Sequence, residues 1–233
     1  MTELRFSTVP IVDMRYEPRP WAWAETNSAR IDDHWSGLLA RNPALFDGPV
    51  LLLHTGGFED GVFRGSYLKT RFSRFISWRD FDFEDASMRN CFAMAGLRAE
   101  DGAYLLGVMG GHTANAGRVY FPAGTPDPDD LVGDTVDLAG SVLRELREET
   151  GLRPQDVMVA DGWTLIEAPA RVACMKEVAV EGTAEAVRSR ILETLSRETQ
   201  PELSDIRIVR SEADIDDDLM LPFVSAYLRQ KLG

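Results

Sequence analysis

The spacing of apolar positions changes along the chain, and each change marks an element. Ile31, Trp35, Leu38 and Leu39 recur at helical spacing, and Pro43 ends that helix. The apolar runs Val50 to Leu53 and Val62 to Leu68 flank the glycine-rich Thr55 to Gly61, which predicts a hairpin with that segment as its loop. Phe72, Phe75 and Ile76 then predict a short helix with Arg71, Arg74 and Arg79 on its other side. Cys91 to Leu97 and Tyr104 to Val108 surround Glu100-Asp101-Gly102, and Asp-Gly between apolar runs is the strongest short-range hairpin signal. Leu138, Val142 and Leu146 predict a helix from about Leu138 to Thr150, with Asp137 placed to cap its start and Gly151 to close its end in a left-handed turn. Further strands are expected near Val157 to Val159, Thr164 to Glu167, Val172 to Val180 and Ile206 to Val209, and helices at Ala184 to Leu195 and Leu221 to Leu232. Met1 to Tyr16 is assigned no element.

Hairpins mixed with strands and helices suggest an α/β or α+β sandwich. Two regions separate by pattern. Residues 1–88, which hold four of the five tryptophans, read as a helix, a hairpin and a short helix packed on a core formed by residues 89–233. With 44% hydrophobic residues in 233 positions the chain can bury a real core. Against 25 Lys and Arg stand 38 Asp and Glu, a net charge of −13. That balance excludes a surface that grips extended nucleic acid through its phosphates. Most of the acidic excess, including Asp127, Asp129, Asp130 and the run from Asp214 to Asp218, reads as solvated surface. No window of about twenty apolar residues is present, so no membrane span is expected. Cys91 and Cys174, each in an apolar run, read as reduced packing residues of a cytoplasmic protein. The three histidines are too scattered to build a zinc cluster with them.

One helix carries chemistry. Glu145, Glu148 and Glu149 share a face away from the buried stripe, at spacings of three and four. Glu145 and Glu149 are like charges one turn apart, which costs roughly 0.2–0.5 kcal/mol. Glu148 and Glu149 also occupy the last turn, where the helix dipole penalises anions by roughly 0.3–1 kcal/mol each. A solvated helix face is the ordinary reading of such a segment, but stability alone would place lysine there. A hard divalent cation held by the three carboxylates removes both penalties.

Arg144 to Leu152 resembles, position for position, the R-E-U-x-E-E-x-G-U core of the Nudix box, U being aliphatic. Upstream, Gly117-x3-Phe121-Pro122-Ala123-Gly124 is similar to the G-x3-F-P-G-G stretch that leads into that box. Two departures stand out. The loop Thr125 to Thr135 is longer than the family spacing, and Val136, followed by Asp137, stands where the family has a further glutamate. The resemblance covers roughly Asn90 to Val209.

It implies a Nudix-like α/β/α sandwich with a mixed sheet. It further implies a hydrolase in which Glu145, Glu148 and Glu149 hold Mg2+ or Mn2+, the Gly124 carbonyl adds a ligand, and Arg144 orients the glutamates. The expected reaction is attack of a metal-activated water on the diphosphate linkage of a nucleoside diphosphate derivative, such as a nucleotide sugar. Either Glu145 or a carboxylate outside the box takes the proton, Glu202 and Glu177 being the outside candidates. Arg118, His112 and Glu202 are candidate substrate contacts; Lys69, Arg71 and Arg74 are further cations that could meet phosphates. The arginine-serine pair of the family's coenzyme A branch is absent after Val108-Met109-Gly110. The alternative function is a nucleotide-binding sensor of the same fold without catalysis. A small phosphate-containing substrate is thus the expected partner, and the early tryptophans could serve a homodimer interface.

Overall fold

The computed structural model describes residues 4–113 and 115–233. In chain order the strands and helices are β1 (Arg5–Val9), β2 (Ile11–Tyr16), α1 (Ala22–Thr26), α2 (Ser28–Arg41), β3 (Pro49–Glu59), β4 (Val62–Arg71), α3 (Phe72–Asp80), β5 (Asn90–Ala99), β6 (Tyr104–Met109), β7 (Val119–Tyr120) and β8 (Ala123–Gly124). There follow β9 (Leu131–Val132), β10 (Thr135–Val136), α4 (Leu138–Thr150), β11 (Val157–Val159), β12 (Trp163–Ala168), β13 (Arg171–Val180), α5 (Ala184–Leu195), β14 (Leu203–Val209) and α6 (Pro222–Leu232). The helices and strands expected after residue 90 are all present, most within two residues of their expected ends.

The strands form two sheets. The main sheet runs β1-β12-β13-β5-β6-β14, with the short β11, β8 and β7 added to β13, β5 and β6. All its pairs are antiparallel except β13 with β5, which are parallel along their full length from Arg171 opposite Asn90 to Val180 opposite Ala99. Both strands are buried along most of that length, as parallel neighbours covered on both faces must be. Helices α4 and α5 pack on this sheet and on each other. Helix α6 packs through Phe223 on Phe92 and through Tyr227 on Tyr104 and Phe121. The result is an α/β/α sandwich around a mixed sheet.

The second sheet runs β3-β4-β2-β10-β9. The period of two along β3 sends alternate side chains to opposite sides. Leu51 and Leu53, with Phe63 and Tyr67 of β4, join the main core; Val50 and Leu52, with Leu68, join a second core under α1 to α3. Three of the four early tryptophans, Trp21, Trp23 and Trp78, belong to that second core. Trp78 is fully buried and donates its indole N–H to the Asp85 carbonyl at 3.1 Å, and Trp21 donates to the Asp85 carboxylate at 2.8 Å.

Two local expectations are corrected. The glycine-rich Thr55 to Gly61 is not a loop: β3 runs through Glu59, and the turn is only Asp60-Gly61, both with positive φ (50° and 76°). That is the backbone a two-residue hairpin demands, and Asp-Gly supplies it. Met1 to Tyr16, given no element, provides β1 and β2 over its described part. β1 pairs with β12 in the main sheet and β2 pairs in parallel with β4, so chain order and sheet membership do not coincide. Cys91 and Cys174 are free and buried, as expected. Among the described residues no helix is long and apolar enough to cross a membrane.

Candidate active site

Helix α4 positions the carboxylates. Its start is held by Asp137, whose carboxylate accepts the Gly140 N–H at 3.0 Å, and its end by Gly151 at φ 74°, a left-handed conformation that glycine adopts without penalty. Leu138, Val142 and Leu146 face the core, so the rotation of the helix is fixed by packing. Glu149 is then turned inward rather than out. Only 3% of it is exposed. Its Oε1 accepts the Ala123 N–H of β8 at 3.0 Å, while its Oε2 is buried and has no partner among the described residues. Burial pushes its carboxyl well above the ordinary range, and the negative charges of Glu202, Glu145 and Glu148 add to the rise.

Glu145 lies one turn earlier, against Gly124. A Cβ at position 124 would come within 2.6 Å of the Glu145 carboxyl carbon, so any larger residue there would push the carboxylate out of its present place. Burial raises the Glu145 carboxyl to about 7, with Arg144 opposing and Glu148, Glu202 and Asp130 reinforcing the shift. Glu148 is half exposed and pairs with Arg144 Nη1 at 3.1 Å. Among the described residues, no three His, Cys, Asp or Glu side chains already converge as a ligand set.

Arg144 is the hub of the face. Its Nη2 donates to both Asp130 oxygens at 3.0 and 3.1 Å and lies 3.0 Å from Glu145 Oε1. Asp130 is therefore not the solvated residue expected from the acidic loop. Its side chain is 1% exposed, it accepts the Asp127 N–H at 3.0 Å, and it closes the 3-10 turn Pro128–Asp130 as half of a capping box. The loop that is longer than the family spacing folds back and anchors the box arginine through Asp130. The pattern Asp-Pro-Asp-Asp was the available signal, because Asp before Pro with Asp three residues on is how such a turn is capped. The later acidic run is likewise engaged: Asp214 accepts the Arg210 and Ser211 N–H groups at 2.9 Å, and Asp217 pairs with Arg229 at 2.6 Å.

The other candidates are placed as follows. Glu202, just before β14, faces the box: its charge acts on both Glu145 and Glu149, and its own carboxyl is raised by desolvation and by Glu148, with His112 opposing. The His112 ring lies against Gly110 and its carbonyl accepts from Asn42 at 3.0 Å. Arg118 is exposed and donates to the Asp218 carbonyl at 2.8 Å, outside the cavity described next. Glu177 belongs elsewhere, paired with Lys231 at 2.7 Å and Arg98 at 3.7 Å, so it is no candidate base. Arg71 is tied to Asp47 at 2.6 Å.

A cavity of about 400 Å3 opens beside the box and runs under the amino-terminal region. Gly124, Tyr120 and Glu202 border it at the box end; Phe72 and Phe75 of α3 and Phe92 of β5 form apolar walls. Arg79 lines it on the same side as those phenylalanines, not on the far side of α3 as expected. Tyr120, whose hydroxyl accepts from Asn115 at 3.4 Å, is held in its neutral form by burial.

No family model and no curated protein matches the chain. Solved structures do. A nudix hydrolase family member from Chromobacterium violaceum is 21% identical over 61% of this chain and 75% of its own, with a TM-score of 0.39. A Nudix hydrolase from Nitrosomonas europaea is 15% identical over 62% and 71%, with a TM-score of 0.40. The MutT protein of Methanosarcina mazei is 17% identical over 61% and 92%, with a TM-score of 0.41. In this fold the segment whose sequence resembles a Nudix box lies on a helix closed by glycine, with its last glutamate buried against the strand that carries Gly124.

Proposed function

We propose that the protein is a divalent-metal-dependent Nudix hydrolase that cleaves the diphosphate linkage of a nucleoside diphosphate derivative. The observation that carries this reading is the Glu149 carboxylate, sealed from water with one oxygen unpartnered and a second carboxyl, Glu145, raised to about 7 beside it. Two crowded carboxyls without a cation are expensive in a fold, and hard oxygen donors on a rigid turn suit Mg2+ or Mn2+. Glu145, Glu148 and Glu149 would hold the ion, with the Gly124 carbonyl as a further donor. Bound there, it supplies neutralisation of charge on the phosphoryl oxygens and acidification of a water. The chain's own residues do the rest. Asp130 fixes Arg144, and Arg144 in turn orients Glu145 and Glu148. Glu202, at the cavity edge with its carboxyl raised by desolvation, is the candidate base to take the proton of the attacking water. The apolar walls exclude bulk water from the moiety that leaves.

A sensor that binds a nucleotide without turnover is the second reading, favoured by one observation: Arg144 engages both Glu145 and Glu148, leaving Glu149 alone of the three box carboxylates without an ion-pair partner among the described residues. One experiment separates the two. The protein is incubated with Mg2+ or Mn2+ and a panel of nucleotide sugars, dinucleotides and coenzyme A, and phosphomonoester release is measured. Turnover that chelation and Glu149→Gln both abolish supports the hydrolase. Nucleotide binding with no turnover of any panel member favours the sensor, and activity that survives chelation refutes the metal mechanism.

A further inference from the structure

Arg171 is the first residue of β13 and stands directly opposite Asn90, the first residue of β5, in the parallel pair. Both side chains line the cavity that begins at the box, and Arg171 also lines a second, more apolar cavity of about 630 Å3 beyond it. Among the described residues, Arg171 has no carboxylate within 4.0 Å and makes no side-chain hydrogen bond, although most of it is buried. Its guanidinium carbon lies over the Phe83 ring, 5.5 Å from the centroid. Burying a cation without a partner costs several kcal/mol. This chain has an excess of 13 acidic residues, and its other inward arginines use them: Arg89 pairs with Glu167 at 3.2 Å and Arg144 with Asp130 at 3.0 Å. Leaving Arg171 unpaired is therefore not a shortage of carboxylates.

Three neighbours point the same way. Arg79 lines the same cavity and brings a second guanidinium, which donates through Nε and Nη2 to Asp80 at 2.9 Å; Asp80 also pairs with His34 at 3.0 Å. Asn90 is 9% exposed and its side-chain carbonyl oxygen has no partner. Asp82 and Phe83, neither of them glycine, both hold positive φ (57° and 58°), a strained pair that keeps Phe83 in place beneath Arg171. Burial and the Arg79 charge both loosen the Arg171 proton, with no carboxylate offsetting them.

We propose that Arg171, with Arg79 and Asn90, forms an oxyanion subsite at the far end of the catalytic cavity, and that the moiety released from the diphosphate carries a phosphate or carboxylate of its own. An oxyanion bridging the guanidinium fork supplies the missing charge, and the unpartnered Asn90 carbonyl oxygen accepts from a neighbouring hydroxyl of the ligand. The substrate half of this statement rests on the hydrolase reading; the subsite does not, and the test keeps them apart. In metal-free buffer at constant ionic strength, inorganic phosphate should raise the melting temperature of the wild-type protein by several degrees, and Arg171→Gln should lose the shift while Arg171→Lys keeps part of it. Arg171→Gln removes an unpaired buried charge, so it should fold at least as stably as wild type, checked by circular dichroism. No phosphate shift, or a shift unchanged in Arg171→Gln, overturns the subsite. In the catalytic arm, UDP-glucuronate should show a KM about tenfold or more below that of UDP-glucose, with the ratio falling towards one in Arg171→Gln. Turnover of both compounds with equal KM in the wild type refutes the anionic-moiety claim. Turnover of neither, with the phosphate shift intact, supports the subsite and counts against the hydrolase reading alone.

Discussion

Replacing Glu149 by glutamine takes a charge out of a place where nothing described pairs with it. The side chain is 3% exposed, accepts one amide from Ala123 and leaves Oε2 unpartnered, while Glu145 adds a like charge one turn away. Glutamine has the same shape, keeps an acceptor for the Ala123 N–H, and carries no charge to desolvate. A buried uncompensated charge costs about 3 kcal/mol or more, and a chain of this size gains about 2–4 °C per kcal/mol, so metal-free Glu149→Gln should melt roughly 6–12 °C above wild type at pH 8. The difference should shrink at pH 5, where the wild-type carboxyl is protonated in the folded chain and the unfolded one, near its ordinary value of about 4.5, has begun to take up its proton. Saturating Mg2+ should reverse the order, because only the wild type gains from the ion. Differential scanning calorimetry at both pH values, with chelator and then with Mg2+, measures all three effects. A metal-free Glu149→Gln protein that is less stable than wild type at pH 8 would refute the reasoning, since it would mean that the carboxylate contributes to the fold as built rather than costing it.

Three further outcomes follow from the same geometry. Glu145 is at about 7 in the fold against 4.5 in an unfolded chain, so between those values the folded state holds the extra proton; metal-free stability should fall as pH rises from about 4.5 to 7, by up to about 3 kcal/mol, and urea melts at pH 5 and pH 7.5 read this directly. Gly124→Ala places a Cβ against the Glu145 carboxyl carbon, and should abolish Mg2+-dependent stabilisation and turnover while leaving far-ultraviolet circular dichroism intact. Asp130→Ala leaves Arg144 without its buried partner; because Arg144 is a quarter exposed, the loss should be about 1–3 kcal/mol in urea melts, and Asp130→Asn, which keeps one of the two acceptor oxygens and removes the charge, should lose less than Asp130→Ala.

Much of this molecule is legible from spacing. The period of α4, its caps Asp137 and Gly151, and the glutamates at 145, 148 and 149 are local facts, and local geometry on a helix follows from sequence separation alone. The same holds for the Asp101-Gly102 hairpin. Where reading failed, the cause was a contact between distant segments. Asp130 looks like any loop aspartate until the loop returns to Arg144, and Thr55 to Glu59 looks like a flexible linker until β4 pairs with it. Arg79 is the exception: it stands seven residues after Phe72, two turns on and so on the same face as Phe72, Phe75 and Ile76, and helical spacing alone places it with them rather than on the far side of α3.

By itself the sequence determined which side chains share a helix face and that a divalent cation would relieve them, because backbone periodicity and like-charge repulsion act over a few residues. Only the tertiary structure decided which of those carboxylates is sealed in, since that depends on β8 crossing the end of α4. It alone brought Arg171, Asn90 and Arg79 to one cavity wall, since parallel pairing joins strands some eighty residues apart and desolvation acts through whatever the fold places around a charge, not through its neighbours in the chain.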